Sequence, residues 1–148
     1  MSQMDYQSLA VVSVATLALV VICVLIHYEG LSQLTTRLKH IRIRPRPRIL
    51  VMIFTILVIH VTEIWIFGLG YFALAHDPAH GQLMASHAVG LFDYVYFSAT
   101  CYTTLGLGDL TPLGNIRFVT GMESLAGFVL IGWSVSFTYL EMDRFWRG

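Results

Sequence analysis

Thr104-Leu105-Gly106-Leu107-Gly108-Asp109 is the stretch of this 148-residue chain whose residue types and spacing could do chemistry. Two glycines separated by a single residue let the backbone take conformations closed to other residues, turning successive carbonyls to one side. A ring of such carbonyls replaces the water shell of a desolvated cation, and a carboxylate beside it draws cations to the mouth. Backbone oxygens do this work, so it tolerates change at Leu105 and Leu107 better than loss of either glycine.

Such a loop has to be held by something, and the composition says what. Hydrophobic residues make up 56% of the chain and charged residues only 12%, against about 25% charged in soluble domains. This is the balance of a membrane protein, with no room for a separate soluble enzyme. The first apolar run, Leu9 to roughly His27, is close to the ~20 residues needed to cross a bilayer. Asp5 and the lack of a basic residue before the run argue against a cleaved signal peptide. Arg37, Lys39, Arg42, Arg44, Arg46 and Arg48 follow, with no acidic residue among them. The positive-inside bias keeps this stretch cytoplasmic. Pro45 and Pro47 read as helix breakers, which makes 31–48 a short linker. Both flanks are spans, so anionic lipid headgroups are its expected partner and nucleic acid is not.

The second span reads from Ile49 to about Ala75, inside to outside. A polar segment, residues 76–82, ends it with Pro and Gly. His87 to Tyr102 is apolar and aromatic but only about four turns long, too short to cross. A half-length helix leading into a Gly-rich loop is a re-entrant element. The last span reads from Ile116 to Leu140, with Glu141, Asp143, Arg144 and Arg147 at its cytoplasmic end. The expected fold is an all-α membrane protein with three transmembrane helices and a re-entrant pore helix and loop. Its parts are a peripheral helix (1–30), a basic linker (31–48), a pore module (49–142) and a short tail (143–148). The N-terminus is expected outside and the C-terminus in the cytoplasm.

Tyr96 through Asp109 resembles the pore helix and selectivity filter of potassium channels. It is most similar to the small bacterial ion channel proteins built on a two-helix pore module. The resemblance runs on through Pro112, Arg117, Glu123, Gly127 and Gly132-Trp133-Ser134, and back to His60-Val61-Thr62-Glu63-Ile64-Trp65. It implies a passive potassium channel in a bacterial plasma membrane, with no enzymatic activity and no cofactor beyond the permeant K+. Thr104, Leu105, Gly106, Leu107 and Gly108 would supply the filter carbonyls, with the Thr104 hydroxyl as innermost ligand. Thr103 would end the pore helix, and Asp109 would sit at the outer mouth. Gly127 would be an inner-helix hinge. Phe128, Ile131, Val135 and Tyr139, on one stripe by helical spacing, would face the cavity. One loop per chain and a cage of four implies a homotetramer. No cytoplasmic ligand-binding domain is expected after the last span.

The chain departs from that pattern in two ways. The usual filter reads Thr-Val-Gly-Tyr-Gly-Asp, and here Leu105 and Leu107 replace Val and the bracing Tyr. Thr100 stands where some relatives carry a Glu that pairs with the Asp after the filter. A weakly selective monovalent cation channel that also passes Na+ is therefore the alternative. A non-conducting scaffold and a metal-binding membrane protein rank below it.

His60 and Glu63 share a helix face. An ionised carboxylate in mid-span costs roughly 2.5–3.5 kcal/mol, so Glu63 must be paired, protonated or turned toward protein. A polar clasp to the pore helix or first span is the plain reading, and a proton or cation sensor the functional one. Glu123 reads as a buttress behind the filter. His76, His80 and His87 read as solvated residues around the outer mouth, with a pH or zinc sensor as the alternative. A metal site built from His60, Glu63 and these outer histidines fails on depth, and the sequence offers no obvious third ligand. Cys23 and Cys101 indicate neither a disulfide framework nor a metal knuckle.

Overall fold

Three helices are long and apolar enough to cross a membrane: Tyr6–Leu38, Pro47–Leu74 and Ile116–Arg144. Only 17%, 22% and 28% of their most apolar windows are buried within the chain. Most of the apolar surface therefore faces outward, where water would penalise it and lipid or another protein surface would not. The computed structural model describes residues 3–40 and 45–146. Its order is α1 (Gln3–His40), α2 (Pro45–Leu74), β1 (Gln82–Met84), α3 (Leu91–Tyr102), β2 (Thr111–Leu113) and α4 (Ile116–Trp146).

Four boundaries differ from the sequence reading. The first helix does not stop near residue 30 but continues to His40, through much of the expected linker. Leu31, Leu34 and Leu38 are buried there against Met52, Ile56 and Ile59 of α2, a stripe at helical spacing that keeps the chain helical. Residues 41–44 of the basic stretch, and the last two residues of the tail, lie outside the described residues. Pro45 and Pro47 do not separate helices but open α2, because a first-turn proline forfeits no intrahelical bond. The short helix begins at Leu91 rather than His87. The charged end of the last span, through Trp146, is still helix.

β1 and β2 are three residues each and carry no strand signal in the sequence. They pair antiparallel, with Leu83 opposite Pro112, and tie the segment before α3 to the segment after the loop. α1 joins the same end of the molecule: Ser8 Oγ donates to the Ala79 carbonyl at 2.7 Å, and Asn115 Nδ2 donates to Ser8 Oγ at 2.9 Å. The loop and the N-terminal end of α1 therefore share one end, and the C-terminal end of α1, with Arg37, lies toward the other.

The larger core surrounds α3. Phe67 and Tyr71 of α2, Val119 and Leu130 of α4, and Val12 and Cys23 of α1 enclose Phe97, Cys101 and Tyr102. Two glycines bring the long helices against α3 itself. A Cβ on Gly68 would lie 2.8 Å from the Val95 Cα, and one on Gly127 would lie 2.1 Å from the Tyr102 carbonyl oxygen. α3 is thus gripped near its middle by α2 and at its end by α4.

Candidate functional site

α3 is built to deliver the loop that follows it. Gly90, in an extended conformation, is its N-cap, and the Asp93 carboxylate reaches back to accept the Gly90 N–H at 2.7 Å. That bond, and then His87 Nε2 at 3.2 Å, hold Asp93 below the usual carboxylate range. At the other end Thr103 caps the helix, as the resemblance implies. Its N–H and its hydroxyl both reach the Ala99 carbonyl, at 3.2 and 2.7 Å. Thr104 N–H bonds the Cys101 carbonyl at 2.9 Å, and Gly106 N–H bonds the Thr100 carbonyl at 3.0 Å. The first half of the loop is therefore pinned to the last turn of α3.

Within the loop every second residue is left-handed: Thr104 at φ 59°, Gly106 at 55° and Gly108 at 80°. Alternation of this kind turns successive peptide planes, so that carbonyls can be brought to one side. Thr104 is the one positive-φ residue other than glycine among the described residues, a conformation that costs an L-residue about 1–2 kcal/mol. Strain of this kind persists where the surroundings impose it. No atom lies within 4 Å of a Cβ placed on Gly106 or Gly108. Within the chain, their requirement is conformational rather than one of space. Residues 103–109 are exposed, with Leu105 at 65% and Leu107 at 57%. Asp109 finds a partner in the Tyr96 hydroxyl, one turn before Thr100 on α3. Thr100 turns its own hydroxyl to the Phe97 carbonyl at 2.8 Å.

Behind α3 lie the two intramembrane carboxylates. Glu123 is fully buried. It accepts the Tyr71 hydroxyl at 2.6 Å on Oε2, and its Oε1 lies 2.5 Å from Ser98 Oγ. Ser98 Oγ also lies 2.8 Å from the Ile64 carbonyl. A serine has one hydrogen. With that hydrogen on Ile64, Glu123 must donate to Ser98, so the arrangement is complete when Glu123 is a neutral acid. Glu123 thus braces α3 between α2 and α4, through side chains rather than through α3 backbone.

Glu63 is equally buried and its partners are different. Its Oε1 lies 3.0 Å from His27 Nδ1 and its Oε2 3.2 Å from His60 Nδ1. The Tyr102 hydroxyl donates to Oε2 in a short bond and lies 2.9 Å from His60 Nδ1. The far nitrogens of both imidazoles converge on Ser134 Oγ, His60 at 3.1 Å and His27 at 3.3 Å. One cluster therefore joins α1, α2, α4 and the last residue of α3. The expected clasp is present, and it reaches the first span and the short helix together.

The remaining sequence candidates are dispersed. Ile131, Val135 and Tyr139 line a cleft of about 600 Å³ between α2 and α4, together with His60 and Tyr102. Phe128 is 69% exposed and is not part of that lining. Gly127 lies within the unbroken α4, where its contact with Tyr102 gives it a packing role. His76 bonds the Phe72 carbonyl, His80 the Leu74 carbonyl and His87 Asp93, so the outer histidines do not converge. Five contributors lie outside the residues that the sequence singles out: His27, Tyr71, Ser98, Tyr102 and Ser134. His27 closes an apolar run, and an ionisable residue within a span is itself a signal.

Spanning helices that hold a half-length helix and a strained backbone loop define a multi-pass membrane protein of the helical channel class. A family model described as "Ion channel" matches residues 48–141, and the chain belongs to that family. The match covers α2 through most of α4 and leaves α1 outside it. Comparison with curated proteins and with solved structures gives no match.

Proposed function

We propose that four copies of this chain form a passive potassium channel, with the carbonyls of Thr104 to Gly108 as the selectivity filter. The observation that carries the reading is the left-handed alternation at 104, 106 and 108 in an exposed loop pinned to the end of α3. A lone chain offers an ion only one side of a cage, so the Thr104 hydroxyl and the loop carbonyls complete a ligand sphere when four loops meet. Asp109, held by Tyr96, lies at the outer mouth. Phe128, Ile131, Val135 and Tyr139 face the cavity below, with Gly127 as the point where α4 bends. The loop lies at the end away from Arg37 and the C-terminal end of α1, which supports a filter opening outward and an N-terminus outside a bacterial plasma membrane.

A monovalent cation channel that admits Na+ is the second reading. Leu107 in place of the bracing tyrosine favours it, because leucine cannot hydrogen-bond. Rubidium uptake into proteoliposomes tests conduction itself. Wild-type protein carries the ion and Gly106→Ala does not. Uptake no greater than in empty liposomes overturns the channel reading for this loop.

A further inference from the structure

We propose that His27, His60 and Glu63 form an intramembrane site for a divalent transition metal of the zinc class. Their donor atoms all lie within 4.8 Å of one another. The individual edges are 3.0 Å from His27 Nδ1 to Glu63 Oε1, 3.2 Å from His60 Nδ1 to Glu63 Oε2 and 2.9 Å from His60 Nδ1 to the Tyr102 oxygen. A tetrahedral zinc ion with bonds of roughly 2.0–2.1 Å sets its ligands about 3.3 Å apart. Small side-chain shifts bring the donors to that spacing, with Tyr102 at the fourth position. Two imidazoles and a carboxylate are the ligand types this class of metal selects.

The groups behind the cluster favour the same conclusion. An imidazole bound through one nitrogen keeps a hydrogen on the other and donates it to a fixed acceptor. Here both Nε2 atoms face one oxygen, Ser134 Oγ, which has two lone pairs and accepts from both. Metal on both Nδ1 atoms leaves both Nε2 atoms as donors, and this one oxygen satisfies the pair. His27 and Glu63 are fully buried and His60 is 14% exposed. His60 also lines the cleft between α2 and α4, and this is the entry path. The outer histidines, by contrast, are spread over three separate partners. The site ties α1, which lies outside the family match, to the residue that launches the loop.

The site is separate from Thr104–Gly108, and its test reads metal rather than flux, so each reading can fail without the other. The probe is Co2+ added to chelator-treated full-length protein in which His76, His80 and His87 are replaced by Gln. Its remaining histidines are His27, His40 and His60. One Co2+ per chain with intense tetrahedral visible absorption, displaced by Zn2+, is the expected result. His27→Gln in the same background abolishes the tetrahedral spectrum, and Ser134→Ala, behind both imidazoles, weakens binding by about 10–100-fold. Substoichiometric uptake, a weak octahedral spectrum, or binding confined to protein that retains the outer histidines overturns the proposal. Should His27→Gln fail to fold, the stoichiometry and spectrum of the parent protein decide the question alone.

Discussion

Glu63 and Glu123 are buried to the same degree, both brace α3, and their surroundings give them opposite characters. Glu63 meets two imidazoles and a phenol, groups that can offset or replace a negative charge. Glu123 meets the hydroxyls of Tyr71 and Ser98, and its hydrogen bonds close when it carries its own proton. Burying an unpaired charge is expensive, whereas a hydrogen-bonded neutral acid is not. Two glutamates in the spans of one sequence therefore do two jobs. One couples α1, α2 and α4 to the end of α3, and the other pins the middle of α3 between α2 and α4.

Substitution should separate them most clearly at Glu63. Glu63→Ala leaves imidazoles and a phenol without their common acceptor and costs about 3–5 kcal/mol, the range for breaking a buried pair. Thermal unfolding in detergent should show the largest drop of any substitution behind α3. A loss no greater than for Glu123→Ala would erase the distinction. Glu123→Ala should follow, at about 1–3 kcal/mol, since it takes the close acceptor from the buried Tyr71 hydroxyl.

Glu123→Gln should be nearly silent, because the carboxamide can donate to Ser98 and accept from Tyr71. Infrared spectra sharpen this point. The carbonyl stretch of a protonated carboxylic acid should vanish in Glu123→Gln and survive in Glu63→Gln, and the reverse pattern would exchange the two roles. The smallest effect belongs to Asp93, a partly exposed carboxylate outside the spanning helices. Its folded-state ionisation is lowered by the Gly90 N–H and His87. The stabilisation it gives α3 is therefore present above the ordinary carboxylate range and lost as pH falls through its lowered value. A melting series from neutral to acid pH should show a slight acid-side loss that Asp93→Asn removes.

Much of this was legible in the sequence, for physical reasons. Apolar runs of spanning length, the short aromatic segment and the Thr-x-Gly-x-Gly-Asp spacing each signal their structure locally, so the three spans and α3 follow. What was not legible depends on tertiary contact. α1 continues past residue 30 because Leu31, Leu34 and Leu38 find α2, and charge counting sees only the arginines between. Pro45 and Pro47 look the same in sequence whether they break a helix or begin one. β1 and β2 are three residues each and exist only as a pair. His27 lies 36 residues from Glu63, and no local pattern links them. Tyr96 and Asp109 lie on opposite sides of the turn that ends α3, and no local pattern links them.

The most direct test of the central claim is the reversal potential across planar bilayers with K+ on one side and Na+ on the other. A filter built from the Thr104–Gly108 carbonyls predicts a potential near the K+ limit, lost together with the current in Gly106→Ala. A sodium-to-potassium permeability ratio near one in the wild-type protein would contradict potassium selection by this loop.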